Sequence, residues 1–220
     1  MIIGILKETT KNEFRVSANV ETVKKLIKLN HQVIIEKDSG LNSSITDEEY
    51  INAGAKVKNS SKEIFDESNL ILKVNPLSEE ELNIIKNNTI CISFFQIKDQ
   101  INNINLYLNK NLTLLSMSHI PRTTLAQKMD ALSSQSNIAG YKAVIIGSNH
   151  IQTYMPLLMT AAGTIQPAKV LILGAGVAGL SAIATAKRLG AQVFAFDVRA
   201  VVKEQVESLG AKFIEVETDT

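Results

Sequence analysis

Residues 170–180 read VLILGAGVAGL, and no other stretch limits the fold of this chain so tightly. The apolar run from Lys169 to Leu173 halts at three glycines, Gly174, Gly176 and Gly179, and helical spacing follows at once in LSAIATAKRLG. Gly190 stands where a glycine closes a helix. Next come an apolar run ending on Asp197 (QVFAFD), a helical pattern closed by Gly210 (VVKEQVESLG) and a third β-rich run (KFIEV). Strand, glycine turn and helix in this order build a parallel sheet with helices against its faces.

The spacing also carries chemistry. A G-x-G-x-x-G turn after a strand, with a helix behind it and an acid about 20 residues on, is the pattern of a dinucleotide-binding unit. Gly174 permits the tight turn, Gly176 lets the backbone approach a pyrophosphate, and Gly179 allows helix and strand to pack closely. Val177 heads the helix, so its amide faces the phosphates at the positive end of the dipole. Asp197 can accept hydrogen bonds from ribose hydroxyls and repels a 2′-phosphate, which favours NAD(H) over NADP(H). Arg199 pulls the other way, because an arginine is what a 2′-phosphate wants. Val198 and Arg199 join Asp197 in the expected cofactor-binding set. The chain supplies only strands 1–3 of the full 3-2-1-4-5-6 order, which would leave strand 1 as an apolar edge. The expectation is a piece of a longer protein, inactive alone.

The first half alternates in the same way. The runs IIGIL, QVIIE, LILKV, TICISFF and LTLLSM read as strands. VETVKKLIKL, with Val20, Val23, Leu26 and Ile27 on one face, TDEEYINAG and SEEELNII read as helices between them. Thr46 with Glu49, and Ser78 with Glu81, have the spacing of capping boxes. The fold expected is therefore α/β, with two Rossmann-like parallel-sheet domains, the second incomplete. Residues 1–135 form the first domain, 136–165 a connecting helix and turn-rich linker, and 166–220 the first half of the second. The connecting helix is expected to begin near Leu125 and run to Ile146.

Composition excludes several classes. Lys and Arg number 23 against 22 Asp and Glu, so no global field favours nucleic acid or anionic lipid. Cys91 is the single cysteine and the 3 histidines, His31, His119 and His150, are scattered, which argues against a metal site. Cys91 lies in an apolar strand and reads as a buried inert thiol; His119 and His150 read as surface or packing residues. The N-terminus is charged too soon for a secretory signal. The uncharged stretches 143–168 and 170–186 are too polar or too short to span a bilayer, so the chain is expected to be soluble.

Several stretches together carry a resemblance: GILKETTKNEFRVS, ILKVN, PRTTLAQKMDALSSQSNIAGYKA, MTAAGT and AKVLILGAGVAGLSAIATAKRLGA. They are similar to the NAD(H)-binding domain of proton-translocating NAD(P) transhydrogenase, at the start of its alpha subunit. Alanine dehydrogenase shares the fold and the opening pattern. In the transhydrogenase family the 121–133 segment lines the nicotinamide side of the NAD site. The resemblance implies that Asp130 and Ser133 hold the carboxamide and ribose, that Arg122 steadies the loop, and that Gln127 reaches toward the second nucleotide. Lys128 and Met129 complete this set. A polar helix N-terminus would use the same residues.

Arg15 and Lys73 match positions that hold pyruvate in alanine dehydrogenase; inherited or structural charge is the other reading. Where that enzyme carries a catalytic histidine, this chain has Gln96. Reducing a carbonyl needs a proton donor beside it, whereas hydride passing between two nicotinamides does not. No catalytic side chain is therefore expected. Ser118 and the FFQIKDQ segment depart from the usual transhydrogenase form, away from the expected cofactor contacts. The resemblance implies an NADP(H)-binding domain or beta subunit and a membrane domain as partners, a homodimer, and a place on the cytoplasmic face of the bacterial inner membrane. An alanine-dehydrogenase-like oxidoreductase and a non-catalytic NAD-binding module are the alternatives.

Overall fold

β1 (Ile2–Ile5) is apolar along its whole length, so both faces need cover, and both receive it. It is central to six parallel strands, with β2 (Gln32–Glu36), β3 (Lys56–Lys58), β4 (Leu70–Leu72), β5 (Ile90–Ser93) and β6 (Thr113–Ser116), in the order 3-2-1-4-5-6. The computed structural model describes residues 1–216 and divides into two compact units, Met1–Met129 and Asp130–Thr220. This sheet is the frame of the first. Its strand order is the full doubly wound one, with a switch point between β1 and β4.

Alternation along the strands feeds two cores. Val33 and Ile35 join Ile5, Val23 and Tyr50 on one face, under α1 (Val20–Lys28) and α2 (Asp47–Asn52). Ile34 joins Leu6, Ile64, Phe65, Ile71 and Leu82 on the other. That face carries α3 (Ser61–Glu67), α4 (Glu79–Ile84) and α5 (Ile104–Asn109). Both capping boxes are present: Thr46 with Glu49 opens α2, and Ser78 with Glu81 opens α4. Sequence reading missed β3, α3 and α5, which are too short for hydrophobic period to show.

The second unit holds a three-stranded parallel sheet of β9 (Lys169–Leu173), β10 (Gln192–Phe196) and β11 (Lys212–Phe213), with β10 in the middle. α7 (Val177–Arg188) and α8 (Lys203–Ser208) follow the first two strands as expected. Among the described residues β9 is an edge strand, with Leu171 54% and Leu173 75% exposed. The last four residues of the expected second domain, 217–220, lie outside the described ones.

Two expectations change in the middle of the chain. The helix expected from Leu125 to Ile146 is broken: a 3-10 turn covers Thr124–Met129, and α6 (Ala131–His150) starts afresh after Asp130. The side chain of Asp130 caps α6, and that bond restarts the helix there. α6 lies in the second unit, against α7, and is no free-standing linker. The two helices pack tightly at Gly140, where a Cβ would come within 2.0 Å of the Ala178 carbonyl oxygen. The turn-rich passage after it contains an antiparallel hairpin, β7 (Leu158–Thr160) and β8 (Gly163–Ile165), too short for its alternation to register.

Candidate functional site

The turn between β9 and α7 assigns each glycine a different duty. Gly174 has φ +92°, a conformation side chains resist, and its N–H donates to the Phe196 carbonyl at 2.7 Å. A Cβ on Gly179 would sit 1.8 Å from the Gly174 carbonyl oxygen, so only glycine lets α7 pack against the turn. At Gly176 nothing lies within 4 Å of a built Cβ: this backbone faces open space. Gly176 is also the N-cap of α7 and supplies no capping side chain. The first N–H groups of any helix lack intrahelical acceptors, and here, at Val177, they sit at the positive end of the helix dipole. A bare backbone, open space and a helix N-terminus fit the pyrophosphate of a dinucleotide.

Asp197 follows β10 and is welded to this turn. Its carboxylate accepts a 2.7 Å bond from the backbone N–H of Ala175, the residue between the first two glycines. It also accepts from the Arg199 backbone at 2.8 Å and from Arg199 Nε and an Nη at 3.0 Å each. The Arg199 guanidinium foremost, with the two backbone N–H groups, holds the carboxyl well below the usual carboxylate range. The Asp197 side chain is 6% exposed, while that of Arg199 is 56% exposed. Val198 between them is exposed. Sequence reading found the acid and the turn but missed their tether through Ala175, since a backbone N–H leaves no trace in side-chain spacing. Gly140, read only as part of a helix, also escaped notice.

In the second unit, Ser133 donates to Asp130 twice, from its backbone N–H at 2.9 Å and from its hydroxyl at 2.6 Å. The pair is thus in contact, and Asp130 is a helix cap as well as a candidate ligand. In the first unit, Arg122, Gln127, Lys128 and Met129 are exposed on the 3-10 segment and its approach, around the buried Ala126. Thr123 and Ala126 donate to the carbonyls of Pro121 and Thr123, which fixes the turn locally.

At the switch point of the first sheet, charges are paired with one another. Lys73, 5% exposed, donates to Glu81 at 2.7 and 2.5 Å, so the acid that caps α4 also neutralises a buried lysine. Arg15 forks onto Glu13 at 2.8 and 2.7 Å and lies 6.0 Å from the centre of the Phe94 ring. The Arg15 side-chain bonds lower the pKa of the Glu13 carboxyl to about 2. Glu8 accepts from the Val74 and Asn75 backbones, and burial raises its pKa. Gln96 is exposed at the head of a 3-10 helix over Ile97–Asn103. Burial pushes the pKa of the Cys91 thiol up to about 12. Among the described residues there is no group of His, Cys, Asp and Glu fit to hold a metal, and no helix long and apolar enough to cross a membrane.

Residues 4–139 match the alanine dehydrogenase/PNT N-terminal domain, and residues 143–220 match the C-terminal domain of the same family. The chain is 48% identical, over 99% of its length, to the first portion of a divided NAD(P) transhydrogenase alpha subunit from Rickettsia prowazekii. The corresponding Rhodospirillum rubrum protein is 44% identical over 100%. The chain spans 58% of either relative. Alanine dehydrogenase of Methanococcus maripaludis is 30% identical over 90% of the chain and 53% of its own length. A solved transhydrogenase structure from Sinorhizobium meliloti superimposes with a TM-score of 0.93 at 46% identity, over 98% of this chain and 64% of that one. An L-alanine dehydrogenase structure gives 0.86 at 27%, over 97% and 60%. The two domain matches are successive and together cover nearly the whole chain: this chain belongs to the alanine dehydrogenase/PNT family.

Proposed function

We propose that this chain is the NAD(H)-binding component of a transhydrogenase that moves hydride between NADH and NADP+ and couples this to proton translocation across a membrane. The observation that carries the nucleotide choice is the Ala175–Asp197 bond, which sets a carboxylate beside the pyrophosphate turn where ribose hydroxyls arrive. Gly174, Gly176, Val177 and Gly179 would hold the pyrophosphate, and Asp197, Val198 and Arg199 the adenosine side. Asp130 and Ser133 would hold the nicotinamide carboxamide and ribose, with Arg122, Gln127, Lys128 and Met129 on the same segment. When bound, the nicotinamide supplies or takes the hydride. The protein's own role is to orient the ring and keep water away, with no acid or base needed at the reacting carbon.

Two features support this reading over an alanine-dehydrogenase-like one. After the apolar strand where, by the resemblance, alanine dehydrogenase carries its proton-donating histidine, this chain has Gln96. Lys73 and Arg15, the residues that would hold a 2-oxo acid, are already paired with Glu81 and Glu13. The reading places NADP(H) on a partner domain or beta subunit, beside a membrane domain, on the cytoplasmic face of a bacterial inner membrane. It also makes the chain a homodimer; exposed apolar side chains on the β7–β8 hairpin, Met159 and Ile165, support such an association. Titration of NADH and NADPH into the intact protein tests the core of the proposal. NADH should bind more tightly, and the preference should shrink in Asp197→Ala; equal affinities in the wild type would contradict it.

A further inference from the structure

An acid at the end of the second strand is ordinarily credited with rejecting a 2′-phosphate by its own charge. Here the acid is one half of a pair. We propose that Arg199 is a latent 2′-phosphate ligand held out of use by Asp197, so that nucleotide choice is set by both residues together. This rests on the dinucleotide reading above and deepens it.

Three observations carry it. First, Arg199 meets Asp197 through Nε and one Nη at 3.0 Å each, the forked geometry by which a guanidinium binds phosphate. The carboxylate therefore fills the fork a 2′-phosphate would need. Second, the two partners differ in freedom. Asp197 is held by the backbone N–H groups of Ala175 and Arg199 at 2.7 and 2.8 Å, and neither bond depends on a ligand. The Arg199 side chain is 56% exposed and anchored, among the described residues, by the acid alone. If the acid is removed, the arginine is released and the turn remains. Third, Arg199 lies two residues beyond Asp197, so where that acid faces the ribose, as the dinucleotide reading has it, a freed fork is within reach of the 2′ position.

Simple repulsion and a locked arginine make different forecasts. Under repulsion, deleting the carboxylate helps NADPH equally whether or not Arg199 is present. Under the lock, the gain requires Arg199. A double-mutant cycle separates them. The intact protein would be titrated with NADH, NADPH and adenosine 2′,5′-bisphosphate, the last needing no nicotinamide site. Wild type, Asp197→Asn, Arg199→Ala and the double variant would be compared, with Asp197→Ser replacing Asn should that variant melt early.

Asp197→Asn should bind the bisphosphate and NADPH more tightly by on the order of tenfold or more, the scale of charge-assisted hydrogen bonds. Arg199→Ala alone should leave NADPH and bisphosphate binding as poor as in the wild type. In the double variant the gain should vanish. A gain of the same size in the double variant, or no gain in Asp197→Asn and Asp197→Ser, overturns the lock while leaving NADH binding by the wild type in place. A wild type that binds no NADH overturns the dinucleotide reading itself, and the lock with it.

Discussion

The backbone N–H of Ala175 donates to Asp197 Oδ2 at 2.7 Å, which ties the acid after β10 to the turn after β9. The two strands run parallel in register, Phe196 opposite Leu173, so turn and acid emerge side by side at their C-terminal ends. The sheet thereby fixes the distance between the glycine turn and the acid.

The glycines of that turn should separate on mutation. Gly176→Ala meets nothing within 4 Å and should fold with a near-normal melting temperature while weakening NADH binding. Gly179→Ala forces a Cβ to 1.8 Å from a backbone oxygen. It should destabilise by about 1–3 kcal/mol or more, as overpacking does. Thermal melts beside NADH titrations check both; a Gly179→Ala protein as stable as wild type would contradict the packing.

Gly140→Ala should behave like the second of these, because its Cβ would lie 2.0 Å from the Ala178 carbonyl oxygen. A loss of about 1–3 kcal/mol is expected, with a fall in melting temperature as the readout. Unchanged melting would mean that α6 does not press on α7 as described.

Glu13 gives the fold an acid-sensitive contact. The Arg15 bonds lower its folded pKa to about 2 from an ordinary 4.5. A depressed carboxylate contributes stability above the unfolded pKa and loses it as pH falls through the folded one. That contribution should fade between about pH 4.5 and 2 and be missing in Glu13→Gln. Denaturant melts across this window should show a shallower acid loss in the variant; parallel curves would contradict the assignment.

Lys73 should matter for stability. Lys73→Met leaves Glu81 buried without its partner, and breaking a buried pair this way costs roughly 3–5 kcal/mol. Lys73→Met with Glu81→Gln should recover some of the loss, as read by equilibrium unfolding. If Lys73→Met keeps its stability, the lysine is free for another role.

Much of this was legible in the chain. The β9–turn–α7 unit and both capping boxes are local patterns, each specified by residues within a few positions of one another, and the acid at 197 follows the turn at a set spacing. What stayed hidden depends on partners remote in sequence. Lys73 was legible as a position that holds pyruvate in alanine dehydrogenase or as structural charge, but its pairing with Glu81 was not, since that acid had already been given the duty of a helix cap. The break at Asp130 was hidden because the residues on both sides suit a helix, and the capping bond to Ser133 decides the matter. β3 and the β7–β8 hairpin, at three residues per strand, hold too little alternation to read.

The central claim is that the chain serves hydride exchange between nucleotides. It is tested most directly by stopped-flow transfer from NADH to an NADP analogue in the assembled protein, with L-alanine as the alternative substrate. Wild type should transfer hydride to the analogue and form no NADH from L-alanine; Gln127→Asn should slow transfer more than it weakens NADH binding, since ring placement suffers before affinity. NADH formation from L-alanine at an ordinary enzymatic rate, without transfer to the analogue, would contradict the account.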